Sequence, residues 1–302
     1  MAGHGSVRVI LGSLAANMGI AAAKGVAAAV TGSGSMMAES IHSLADCTNQ
    51  ILLLVGAKEA EKPATPEHPL GQGRAAYFWS FLVALMIFLG GGVFSMYEGW
   101  HKLHEPSEVG SPWVAYVVLG VAIAIEAAAA LQCFKAIDGN RGAVPFWQYL
   151  GRTKDIDLVV LFAENTAAVM GLLLALGFLG VADVTGDPVW DAYGTLSIGI
   201  LLCGVAVWLA REVKSLLQGE AAEPEIEALF YAMAEATPGV DEVLNLITLQ
   251  QGPGQVMLAA KVRIDPALSA REAAEAINAL EESVRNEHPH VKWQFVEPDI
   301  EA

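Results

Sequence analysis

Apolar residues collect in six long runs over the first part of the chain and alternate with polar ones after that. The runs cover about residues 7–30, 33–58, 77–100, 112–135, 158–181 and 190–210. Each holds roughly 20 or more mostly apolar residues, the length a helix needs to cross a bilayer. The first run is Ala-rich and follows a basic residue, but Lys24 interrupts it and it is too long for a signal-peptide core. From residue 215 the period shortens. Glu223-Pro224-Glu225 predicts a helix start, with acids in the first turn and Pro at an early position. Thr237-Pro238-Gly239 ends that helix. Residues 240–250 and 256–265 read as strands joined by Gly252-Pro253-Gly254, a hairpin signal. Ser269 and Glu272 have capping-box spacing and open a helix to about residue 286. Residues 291–297 make a last strand. The pattern predicts an α-helical membrane protein: six transmembrane helices over residues 1–214, then a cytoplasmic αββαβ (α+β) domain over residues 215–302.

Composition supports the membrane reading. Of 302 residues, 54% are hydrophobic and 17% charged, against about 25% charged in soluble domains. Mean hydropathy is +0.45. A net charge of −16 argues against nucleic acid as a partner. Cys47, Cys133 and Cys203 all lie in apolar runs without C-x-x-C spacing, so neither a disulfide framework nor a zinc knuckle is indicated. The N-terminus, the second, fourth and last connections carry Arg8, Lys58, Lys62, Arg74, Arg141, Arg152, Lys154, Arg211 and Lys214, with Lys135 at the end of the fourth run. The other connections carry only Lys102. The positive-inside rule then places both termini in the cytoplasm, in a plasma or inner membrane. Asp183, Asp187 and Asp191 make the fifth connection acidic, as an outer vestibule for cations or as a solvated loop. Residues 215–302 contain 16 acids and 5 bases, a net of −11, which would attract cations or simply keep the lobe soluble.

The second run holds the candidate chemistry. Glu39, His42 and Asp46 are spaced by three and four, which puts them on one helix face. His42 and Asp46 form an H-x-x-x-D pair able to grip one metal ion from adjacent turns; the competing reading is a hydrogen bond between two buried groups. Charged groups in hydrocarbon are costly, so their presence calls for a function or a partner. Lys24 and Glu39 fall at similar depth on consecutive helices, which predicts an ion pair, a latch or a proton relay. Glu126 lies near the middle of the fourth run. Asn17 reads as inter-helix glue, and Gly90-Gly91-Gly92 as a close packing surface.

Six spans, the pair His42-x-x-x-Asp46, the loop His68-Pro69-Leu70-Gly71-Gln72-Gly73-Arg74 and the αββαβ tail resemble the cation diffusion facilitator family. Glu39-Ser40-Ile41-His42-Ser43-Leu44-Ala45-Asp46 and Glu164-Asn165-Thr166-Ala167-Ala168-Val169-Met170-Gly171 further resemble the branch that includes zinc-transporter-like members of mitochondria. The resemblance implies a proton-coupled transporter of zinc or another divalent cation, and a homodimer. Many members complete the site with a second H/D-x-x-x-D pair in the fifth span. Aligned on Gly171, those positions are Leu161 and Asn165, with Glu164 next door. Many also bind metal in the loop with two His; here His68 remains and Gln72 stands at the second place. Glu297, Asp299, His288 and His290 offer a further metal site in the tail, or a solvated surface.

The expected function is a secondary antiporter that moves a divalent cation out of the cytoplasm in exchange for protons. His42 and Asp46 would be metal ligands, completed by Glu164 or Asn165. Glu39, Glu126, Lys24 and His68 would serve the ion pathway or proton coupling. Zinc suits the imidazole and carboxylate; one His plus oxygens also admits Mn²⁺, Fe²⁺, Co²⁺ or Ni²⁺. No permanently bound cofactor is expected. The alternative is a membrane-embedded metal sensor or scaffold with a degenerate transport site. No nucleophile–base pair, P-loop or dinucleotide fingerprint indicates an enzyme.

Overall fold

A computed structural model describes residues 4–105 and 112–300, except for the side chains of 4–13, 15, 16 and 112. The side chain of Arg8, used in the charge argument, and the third connection at 106–111 lie outside the described part. All six apolar runs are helical. They form α1 (His4–Thr31), α2 (Gly34–Ala60), α3 (Ala75–Met86) with α4 (Phe94–His104), α5 (Pro112–Asn140), α7 (Ile156–Thr185) and α8 (Val189–Gln218). A short α6 (Phe146–Leu150), not anticipated from the sequence, precedes α7. Among the described residues, four helices are long and apolar enough to cross a membrane: Ala75–His104, Trp113–Asn140, Ile156–Thr185 and Val189–Gln218. α1 and α2 match them in length, with 28 and 27 residues, and α2 carries the polar residues of interest. The chain divides into two compact units. One takes in Met1–Val55, Trp79–Phe146 and Asp157–Glu212; the other Gly56–Phe78, Trp147–Ile156 and Val213–Ala302.

In the first unit, α3 and α4 join through a π-helical segment, Ile87–Val93, to make one span. Such a wide turn is rare and persists where packing outweighs regular helix geometry. Here it contains Gly90, Gly91 and Gly92. A Cβ at Gly92 would stand 2.5 Å from Cys203 Sγ, one at Gly99 2.7 Å from Leu196, and one at Gly199 2.6 Å from Met96. No side chain fits, so this span and α8 approach backbone to backbone, as small residues allow.

The start of α2 is pinned by another helix. Asp191, in the first turn of α8, is 1% exposed. It accepts hydrogen bonds from Ser33 Oγ (2.7 Å), Ser35 Oγ (2.6 Å) and the Gly34 amide (2.6 Å), and a longer one from the Ser35 amide (3.4 Å). Lys102 Nζ, from α4, lies 3.2 Å from the same carboxylate and also donates to the Gly32 carbonyl. An acid at a helix N-terminus is favoured by the helix dipole and by the unpaired amides there. This corrects the sequence expectation for Asp191: it is neither a vestibule acid nor a solvated loop residue, because its oxygens are taken up by α2 and Lys102.

In the second unit, α9 (Pro224–Ala236), β1 (Val240–Gly252), β2 (Gln255–Ile264), α10 (Ala270–Glu287) and β3 (Val291–Pro298) give the expected αββαβ order. β1 and β2 are antiparallel, closed by Pro253-Gly254 with Gly254 at φ 61°, the signature of a type II turn. β3 pairs with β2 in parallel, so the sheet order is β1-β2-β3. Val256, Leu258, Ala260 and Val262 alternate along β2 and face Ile226, Phe230, Leu280 and Val284 of the two helices. The capping box is formed: Ser269 Oγ accepts from the Glu272 amide, and the Glu272 carboxylate accepts from the Ser269 amide. Exposed Ile247 and Phe295 register with Ala259 across the opposite face. Gly73 of the loop motif packs on the β1 end, where a Cβ would meet the Gln251 carbonyl at 2.7 Å.

Candidate metal centre

Four positions of α2 face the interior at helical spacing: Glu39, His42, Asp46 and Asn49. Glu39 is fully buried and its Oε2 lies 3.2 Å from Lys24 Nζ, which also donates to Ser43 Oγ at 2.7 Å. The predicted α1–α2 ion pair is therefore formed. Its cost in hydrocarbon is offset by mutual attraction and by the added hydroxyl. Gly171 on α7 makes room for the acid: a Cβ there would collide with Glu39 Oε1.

One turn on, His42 is 1% exposed, and neither ring nitrogen makes a hydrogen bond. Its Nδ1 lies 3.6 Å from Asp46 Oδ1, which is also without a hydrogen bond. That distance is too long for a hydrogen bond. It is close to the roughly 3.3 Å that separates two ligand atoms each bound at about 2 Å to a tetrahedral zinc ion. Gly91 of the π-helical segment lies beside the ring, its Cβ position 3.8 Å from Nδ1.

A narrow cleft with about 30 Å³ open to water adjoins this pair. Asp46, Ser43 and Gln50 line it from α2, and Glu126 from α5. Glu164, Asn165, Leu161 and Ala168 line it from α7, and Asn17 from α1. By volume it admits one or two small oxygen-bearing species. Of the two α7 candidates, Glu164 is 6% exposed with Oε1 unbonded, whereas Asn165 is half-buried and lies beside the Cys133 thiol. Leu161, at 38% exposure, brings no donor atom. Among the described residues, no three His, Cys, Asp or Glu side chains gather closely enough to hold a metal ion. The set brought together is one imidazole, carboxylates and amides.

Two other expectations fall elsewhere. His68 is exposed in the connection between α2 and α3, within the second unit. The tail residues do not form one cluster. His288 and His290 precede β3, while Glu297 and Asp299 stand at its far end, and Asp299 is paired with Lys261 at 2.5 Å. Seven residues of strand span about 23 Å, too far for one ion. Sequence reasoning missed Asn49, although it follows Asp46 by three and His42 by seven on the same face.

Comparison with known proteins agrees with this layout. The model of the cation efflux transmembrane domain matches residues 10–218, and that of the cation efflux protein cytoplasmic domain matches residues 222–296. The chain is similar to the proton-coupled zinc antiporter SLC30A9, mitochondrial, of Homo sapiens, with 31% identity over 247 residues, 81% of this chain and 44% of that protein. It is similar to metal tolerance protein C4 of Arabidopsis thaliana, with 29% identity over 231 residues, 75% of this chain and 50% of that protein. The chain thus spans about half the length of these relatives. A solved MamM C-terminal domain is similar over 26% of this chain and 94% of its own, at 22% identity and a TM-score of 0.25. The transmembrane match alone covers more than half of the residues, and this chain belongs to the cation efflux family, the cation diffusion facilitators.

Proposed function

We propose that this protein is a proton-coupled antiporter that carries a divalent cation, zinc first, out of the cytoplasm. His42 and Asp46 are its primary ligands, and Glu164 is the α7 ligand ahead of Asn165. One observation carries the reading: a buried imidazole and a carboxylate, 3.6 Å apart and without hydrogen-bond partners, beside a small polar cleft. Buried polar groups are normally bonded, and a cation is the partner that suits these. The ion must displace protons from the same atoms, which couples the two fluxes. Zinc is the ion in the printed name of the human relative. Both termini on the cytoplasmic side, residues 1–214 and 215–302 as separate domains, and a homodimer held partly by the exposed Ile247–Phe295 face complete the proposal. Lys24 and Glu39 act as a latch between α1 and α2, with Glu126 at the cleft margin.

The test is metal-driven flux in proteoliposomes. Asp46→Asn should abolish flux while leaving the protein folded, and His42→Asp should keep flux but shift preference toward harder ions such as Mn²⁺. Wild-type flux and selectivity in both variants would overturn the ligand assignment. The sensor or scaffold reading is kept by the absence of a three-ligand cluster among the described residues. It expects metal binding without flux in the wild type.

A further inference from the structure

Asn49 is 0% exposed, and neither its Oδ1 nor its Nδ2 makes a hydrogen bond. It lies against the Glu164 carboxylate, whose Oε1 is unbonded as well. An amide facing a carboxylate ordinarily turns its N–H toward the oxygen, and the pair then glues two helices. Here the two are close enough to interact but fall short of full hydrogen-bond geometry, and Asn49 Oδ1, on the other side of the amide, has no partner at all. A buried polar group left unbonded is costly, so this arrangement needs a third participant. The helix fixes where that participant sits. At 1.5 Å per residue, Asn49 is about 4.5 Å further along α2 than Asp46 and about 10.5 Å from His42. Asp46 stands between them, and both Asp46 and Glu164 line the cleft.

We infer that Asn49 Oδ1, together with the Asp46 and Glu164 carboxylates it shares with the first site, forms a second, all-oxygen stopping place for the divalent cation, about one helical turn beyond Asp46. This rests on the reading of His42 and Asp46 as the first ligands. The chemistry of the two places differs. At the first, the ion has an imidazole nitrogen, which suits zinc. At the second it has only carboxylate and amide oxygens, which hold hard ions relatively better and zinc less well. A zinc ion stepping from one to the other moves from the tighter place to the looser one. That order favours release, and it makes Asn49 a residue that sets speed and preference rather than first capture.

The experiment uses the full-length protein, with zinc and manganese as the probes. Equilibrium binding is read by calorimetry in detergent and flux in proteoliposomes. Asn49→Leu, which keeps volume and removes the oxygen, should leave zinc affinity within about twofold of wild type. It should lower maximal zinc flux by about 10-fold or more, a loss in turnover rather than in apparent affinity. Asn49→Asp, which restores an oxygen, should recover flux, and manganese more than zinc. It also carries the test if the leucine variant does not fold: an aspartate variant with unchanged metal preference would overturn the inference. Wild-type flux and preference in Asn49→Leu would overturn it too, leaving Asn49 as helix glue. Loss of all zinc binding in Asn49→Leu would place Asn49 in the first site and remove the second. If the wild type and Asp46→Asn bind zinc equally, it is the His42–Asp46 reading that fails.

Discussion

Two buried polar clusters lie on α2, one at its start and one further along. Around Asp191, every partner is in place: two serine hydroxyls, two backbone amides and the Lys102 ammonium converge on one carboxylate. Around His42, Asp46, Asn49 and Glu164, donor and acceptor atoms lie close together and stay unbonded. Both clusters are buried among helices, so burial does not tell them apart. What separates them is saturation. A saturated cluster holds helices together, and a ligand has nothing left to bind. An unsaturated one in the same medium is tolerable only when something else completes it.

The sharpest way to break this comparison is to unbalance the saturated cluster. Asp191→Asn or Lys102→Met leaves one buried charge without its partner, and loss of one member of such a pair costs about 3–5 kcal/mol. Thermal unfolding in detergent should show both variants strongly destabilised, and far more so than Asp46→Asn. Equal losses in all three would mean that His42 and Asp46 are structural too. A smaller effect is expected at the α1–α2 pair. Lys24→Met and Glu39→Gln should each destabilise, and the double variant should be milder than their sum, with a coupling of about 0.5–3 kcal/mol. Additive losses would show that the 3.2 Å contact carries no energy.

The smallest effect is at the edge of the second unit, where a saturated pair meets water. Burial pushes the Glu220 carboxyl up, but hydrogen bonds from Lys154 and Ser215, with the Lys154 charge, outweigh it and hold its pKa below the usual range. A depressed carboxyl adds stability above its unfolded value of about 4.3 and loses it as pH falls through the lower folded value. Glu220→Gln should therefore lower stability slightly at neutral pH, and the difference from wild type should shrink to nothing as pH falls below about 4, which flattens the acid limb of the stability–pH curve. An unchanged acid limb would remove Glu220 as its source.

How much of this was written in the sequence follows from range. The six helices and the αββαβ order come from local periodicity, and the Ser269–Glu272 capping box from a three-residue spacing; all were legible. The Lys24–Glu39 pair was legible because two charges in adjacent apolar runs have few places to go. The Asp191 cluster was not. Its members, from Gly32 to Asp191, are far apart in sequence, and three acids close together suggest a solvated loop. Asn49 was passed over because an amide in a membrane helix reads as glue until its lack of partners is seen. The π-helical turn gave no signal beyond three glycines, which predicted a close packing surface but neither its geometry nor α8 as the helix that meets it.

The Asp191 cluster has one consequence for motion. A helix normally frays first at its ends, where four backbone amides lack carbonyl partners. In α2 the first four are answered: Gly34 and Ser35 by Asp191, Met36 by the Ser33 hydroxyl and Met37 by the Ser33 carbonyl. Deuterium exchange should then be slow at Gly34–Met37 and faster toward Lys58. The helix that carries His42 and Asp46 is thus held fast at its first turn, and its last turn is where it opens first.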